Sequence, residues 1–149
     1  MSIRAIMDQI VTIQEGLSIT EPVNLSVKRA YKYLPPQNQT LTDLPVWVNH
    51  WQMNNTEWDP GDMREVEYSV NMMLAVAEAT VEMDRAADIA ASFWEATLKA
   101  FRDDVKLGGT NRIQKLRGEG PTSPRLTWAG KAYVGLDLWL DILVIESNA

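Results

Sequence analysis

The chain contains no cysteine and a single histidine, His50. Without thiols there is no disulfide framework and no thiolate metal site or nucleophile, which excludes the small stapled scaffold of secreted domains and leaves a reducing cytoplasm compatible. A long apolar run is also missing. No stretch approaches the length of a membrane span, so no membrane partner is expected. The opening residues, MSIRAIMDQIVTIQEG, interrupt their apolar positions with Arg4, Asp8, Gln9, Gln14 and Glu15, unlike the continuous apolar core of a signal peptide. Positive charge is in deficit as well: 14 Lys and Arg against 20 Asp and Glu give a net charge of -6. Nucleic-acid modules gain most of their affinity by neutralising phosphates, so this balance argues against a dedicated DNA binder.

What is present fits one domain spanning residues 1–149, long enough for one core and too short for two. The hydrophobic fraction of 46% and the charged fraction of 23% are those of an ordinary soluble protein. Six tryptophans and seven methionines are less ordinary, because both residue types serve equally as core filler and as interface contacts.

Ile3, Ile6, Met7, Ile10, Ile13 and Leu17 recur at spacings of three and four, with Ser2 placed to cap and Gly16 to end a short amphipathic helix. LSVKRAYKYL reads as a strand stopped by Pro35 and Pro36, and LPVWVNHWQM as a second strand followed by a turn over residues 54–62. From Arg64 the alternation of Val66, Tyr68, Val70, Met72, Leu74 and Val76 predicts a third strand in a hairpin with the second. Thr80 is placed to cap a long helix carrying Met83, Ala86, Ala87, Ala90, Phe93, Trp94, Leu98 and Phe101 at helical spacing. Glu82 and Asp84 suit its positive end and Arg102 and Lys106 its negative end, and Gly108 and Gly109 stop it. The segment GGTNRIQKLRGEGPTSPR has four glycines, two prolines and no period, so residues 106–127 are expected to form a long basic loop. The expected fold is α+β: a mostly antiparallel sheet of about four strands with two helices packed on it, in the order helix, three strands, helix, loop, strand.

The final strand, YVGLDLWLDILVIE, alternates almost without error. Val134, Leu136, Leu138, Leu140, Ile142 and Val144 make an unbroken apolar stripe for the core. The other side carries Tyr133, Gly135, Asp137, Trp139, Asp141, Leu143 and Ile145, neither a solvated face nor a second core face. Either the sheet is covered on both faces by its own helices, or this side meets another chain. Under the second reading Trp47 and Trp51, which share one side of their strand, and Tyr133 and Trp139 are the expected anchors.

Catalytic patterns are sparse. His50 can serve as a base, but no serine elbow, second histidine or metal-ligand spacing accompanies it, and a structural or surface role is the simpler assignment. Asp103 and Asp104 point about a hundred degrees apart on a helix and read as solvating. Asp59, Asp62 and Glu65 surround a turn but lack the spacing of a calcium loop. LGGT lacks the Lys and Ser/Thr of a phosphate loop. No metal, cofactor or catalytic residue is assigned. The cations Arg102, Lys106, Arg112, Lys115, Arg117 and Arg125 are concentrated in one region of an otherwise acidic chain. Arg112, Lys115, Arg117 and Arg125 belong either to a solvated loop or to an arm that docks on an acidic partner or lines a passage for DNA.

The N-terminal amphipathic helix, the TDLPVWV that opens a strand, the turn-linked partner strand and the long helix resemble tail terminator proteins of long-tailed bacteriophages. So does the ending: LGG, a Gly-rich segment, then LTWAGKAYVGLDLWLDILVIE. Asp43, Leu44, Pro45, Gly108, Gly109, Trp128, Gly130, Tyr133 and Gly135 carry the resemblance, which spans nearly the whole chain. It implies an α/β subunit forming a six-fold ring at the head-proximal end of the tail tube, assembled in the host cytoplasm and carried in the virion. Such a ring stops tube polymerisation, offers the surface to which the neck attaches and lets DNA pass through its lumen. Its partners are copies of itself, the tail tube protein and a neck or head-completion protein. Head-closure and adaptor subunits are similarly small and stand as the alternative; a small enzyme using His50 is the third reading.

Overall fold

The computed structural model describes residues 2–36, 38–54, 63–79, 83–107 and 112–147. The elements are α1 (Ile3–Glu15), β1 (Ser18–Ile19), β2 (Leu25–Ser26), β3 (Arg29–Tyr31), β4 (Val46–Met53), β5 (Met63–Glu78), α2 (Met83–Asp103), β6 (Arg112–Trp128) and β7 (Lys131–Ser147). Five strands form one sheet in the order β3-β4-β5-β7-β6, and β1 and β2 make a separate two-stranded ribbon. β3 runs parallel to β4, and every other pairing is antiparallel. The α+β class with two helices is as expected, but the described residues hold seven strands instead of about four.

The extra strands have two origins. LSVKRAYKYL does not form one strand: Leu25 and Ser26 fold back on Ile19 and Ser18, whereas Arg29, Ala30 and Tyr31 join Val46, Trp47 and Val48 of the main sheet. Between them the Val27 N–H donates to Leu17 O at 3.1 Å and the Lys28 N–H to Pro45 O at 2.9 Å, so the chain changes partner within two residues. The larger correction concerns residues 106–127. Most of the expected loop is β6, hydrogen-bonded along β7 through three register shifts, at Ile113/Lys115, Glu119/Thr122 and Thr122/Leu126. An edge strand needs backbone pairing on one side only, and bulges accommodate the glycines and prolines that erase its alternation. The two strands meet through Ala129 (φ 52°) and Gly130 (φ 77°), successive left-handed residues of the kind that closes a two-residue hairpin with the right twist.

Ser2 caps α1 as expected, its Oγ accepting the Ala5 N–H at 3.2 Å. Asp84 and Arg102 sit in the first and last turns of α2, complementing its dipole. Lys106 lies beyond the helix, and Thr80, Glu82, Gly108, Gly109, Asp59 and Asp62 fall outside the described residues.

Both helices cover the same face of the sheet. Ile6, Met7 and Ile10 of α1 and Ala90, Phe93 and Phe101 of α2 share one core with Val66, Val70, Met72 and Leu74 of β5 and the whole β7 stripe from Leu136 to Val144. A smaller cluster on the opposite, back face holds Leu41, Val46, Val48, Ala75, Trp128 and Tyr133 and includes no helical residue. Trp47 is corrected here: it is fully buried in the helix-covered core, because its side of β4 is the side α1 packs against. Tyr133 is also buried, its hydroxyl accepting the Leu41 N–H at 3.1 Å and so fastening the segment before β4 to the back face.

One polar unit lies inside the main core. Gln14 of α1 and Asn49 of β4 are both fully buried, and their amides exchange hydrogen bonds at 2.8 and 2.7 Å, with a further bond of 2.8 Å from Asn49 Nδ2 to Tyr31 O. The pair fixes the register of α1 on the sheet and closes the free end of β3. Asn49→Leu strands the Gln14 amide and the Tyr31 carbonyl, and is expected to lower stability by about 2 kcal/mol. Urea denaturation reads this as a lower midpoint with an unchanged slope; an unchanged midpoint would show that the amide pair contributes nothing.

Candidate interaction face

The helix-free back face is built by strand register. His50 lies opposite Asn71, Asn71 opposite Trp139 and Trp139 opposite Arg117, so four strands contribute one row across the sheet. The adjacent row runs Gln52, Ser69, Asp141, Lys115. Hydrogen bonds run along these rows and out to the positions beside them. Asn54 Nδ2 donates to Ser69 Oγ and Ser69 Oγ to Asp141 Oδ1, both at 2.7 Å, while Asn71 Nδ2 donates to Asp137 Oδ1 at 2.7 Å and to Leu138 O at 3.0 Å.

Arg117 closes the assembly from the edge strand. Its Nε reaches Asp141 Oδ2 at 3.4 Å, and its guanidinium carbon stands 5.6 Å from the centre of the Trp139 ring. A cation over an indole face at this distance attracts the ring quadrupole and holds the ring in place. Arg117, Gly118, Glu119, Asp137 and Trp139 line a shallow recess of about 360 Å³. Trp139 is therefore a half-buried aromatic, preorganised in a polar frame and open to one side, which is the form of an interface anchor.

The other expected site residues are dispersed. Trp51 faces the helix-covered side, half-buried and edge-on to Tyr68 with ring centres 5.7 Å apart. Arg112 and Lys115 are exposed on β6, as part of a strand instead of a free arm; Arg125 belongs to the same strand and its side chain lies outside the described residues. His50 is exposed with an amide, Asn71, as its cross-strand neighbour. Among the described residues no three metal-ligating side chains gather. Sequence reading missed the Ser69–Asp141 and Asn71–Asp137 pairs, because alternation assigns each residue to a face but only register brings Ser69 against Asp141 and Asn71 beside Asp137.

At the far edge of the sheet Lys32 pairs with Asp8 of α1 at 2.7 Å, and this hydrogen-bonded carboxylate holds the amine above the usual lysine range. No helix among the described residues is long and apolar enough to cross a membrane. No family model matches this chain, and neither does any curated protein or solved structure.

Proposed function

We propose that this chain is a ring-forming tail terminator of a long-tailed bacteriophage, a structural virion protein that works by geometry and contact, without catalysis. The observation that carries the reading is the back face, where Trp139 is held between Arg117, Asn71 and Asp141 on the side of the sheet that neither helix covers. A preorganised aromatic in a polar frame suits docking on another protein, whereas His50, exposed beside Asn71, has no carboxylate partner among the described residues to support general-base chemistry. Together with the resemblance of the chain to tail terminators, this supports a subunit with at least two working surfaces: one joins its neighbours in a ring, and another meets the tail tube or the neck. The ring is expected to be six-fold, to sit at the head-proximal end of the tail and to let DNA pass through its lumen.

Electron microscopy of particles made without this protein tests the reading. Overlong tails separated from full heads are expected when a terminator is missing. Tails of normal length beside leaking heads would assign a head-closure role instead, and normal infectious particles would remove the phage reading.

A further inference from the structure

The two edges of the five-stranded sheet differ in charge and in shape, and they are complementary. On the β6 edge, α2 presents Asp84, Asp88, Ala91 and Glu95 at spacings of four, three and four, one face of the helix, all exposed. None of the three acids has an ion-pair partner among the described residues. Beside this stripe, Ala91 and Trp94 of α2 and Gly118, Glu119 and Gly120 of β6 enclose a cleft of about 190 Å³ floored by Leu136 and Leu138. The cleft exists because β6 has glycine at the two positions where a side chain would collide with Leu136 or Leu138. The cations of β6 do not neutralise the rim, because Arg112, Lys115 and Arg117 stand across from Leu143, Asp141 and Trp139 on the back face.

The β3 edge has the opposite character. From Pro22 to Thr42 the sequence has no acid, and it carries Lys28, Arg29 and Lys32. Lys28 and Arg29 are exposed without an acidic partner among the described residues, the Arg29 guanidinium carbon lying 4.1 Å from the centre of the Tyr31 ring. A few residues further on, Tyr33 (55% exposed) and Leu34 (39% exposed) project two of the few large apolar side chains left in solvent among the described residues, followed by Pro35 and Pro36, which stiffen the segment.

We infer that copies of this chain join head to tail, with Tyr33 and Leu34 of one copy seated in the α2/β6 cleft of the next and Lys28 and Arg29 against the rim of Asp88 and Glu95. The inference rests on the ring reading above and names the joint between subunits. A space of ~150 Å³ already admits a benzene-sized ring, so the cleft has room for the Tyr33 side chain. Two different patches on opposite edges make a heterologous contact, the kind that closes into a ring when the rotation between neighbours allows it.

Light scattering after size exclusion tests this on the full chain. Lys28→Glu with Arg29→Glu, and separately Asp88→Lys with Glu95→Lys, are each expected to weaken self-association roughly tenfold or more. Both changes combined in one chain are expected to restore it, because every joint then carries the reversed pair. Wild-type association is also expected to fall as salt rises, a readout that depends on no variant. Reversals that leave association intact, a combined chain that stays apart, salt-independent association, or a wild type that remains monomeric would each overturn the joint. Tail length in particles lacking the protein judges the terminator reading separately.

Discussion

Gly135→Ala is expected to leave little soluble folded protein, with a loss of stability of roughly 3 kcal/mol or more. A Cβ at this position would collide with the Leu74 carbonyl oxygen and meet its carbon at 2.7 Å. Both obstacles are backbone atoms of β5, in the middle of the sheet, so no rotamer change can relieve the contact. Gly135 stands opposite Ala75, where the β5/β7 register shifts, and the two strands approach too closely there for any side chain. Soluble yield and thermal denaturation measure the effect; a variant that melts with the wild type would show that the strands can separate without penalty. Gly130, whose φ of 77° serves the turn and whose Cβ would meet nothing within 4 Å, supplies the control. Its replacement by Ala introduces strain without a clash, and the loss should be about 1 kcal/mol.

Two tryptophans expected to share a role are expected to separate by phenotype. Trp47→Ala removes a fully buried indole from the helix-covered core and should lower stability by about 3–5 kcal/mol. Trp47→Phe should cost far less, since it keeps most of the ring and deletes a buried indole N–H that has no acceptor among the described residues. Trp139→Ala, on the open face, should change stability by about 1 kcal/mol or less. If Trp139 anchors a partner it should weaken docking by about 2 kcal/mol, near 30-fold in affinity. Chemical denaturation of the three variants, with co-sedimentation on tail tubes for Trp139→Ala, separates these effects. Equal destabilisation by Trp47→Ala and Trp139→Ala would refute the division into a core face and a docking face.

The parts of the fold that are locally determined were legible in the residues. The apolar stripes of α1, α2, β5 and β7 each follow the period of their element, and these stripes are the core. β6 was not legible because an edge strand paired through bulges needs no period, and its glycines and prolines read as loop chemistry. The splitting of residues 25–34 between two sheets depends on partners distant in sequence, which alternation cannot supply. The candidate site divides in the same way. Trp139 stood out as an aromatic among aspartates on the second face of its strand, whereas its contact with Arg117 required the register of β6 on β7. Trp47, Trp51 and Trp139 look equivalent in sequence because a strand shows that it has two faces but not which of them the helices take.

The irregularity of β6 also bears on whether the open edge of the sheet invites further strands. A straight, unpaired edge 17 residues long would template further strands and lead toward fibres. Three register shifts break its hydrogen-bonding rhythm, Pro121 and Pro124 supply no N–H, and Arg112, Lys115 and Arg117 place charge along it. An edge interrupted in this way is a poor template for a further strand, so the fold carries its own protection against edge-to-edge pairing.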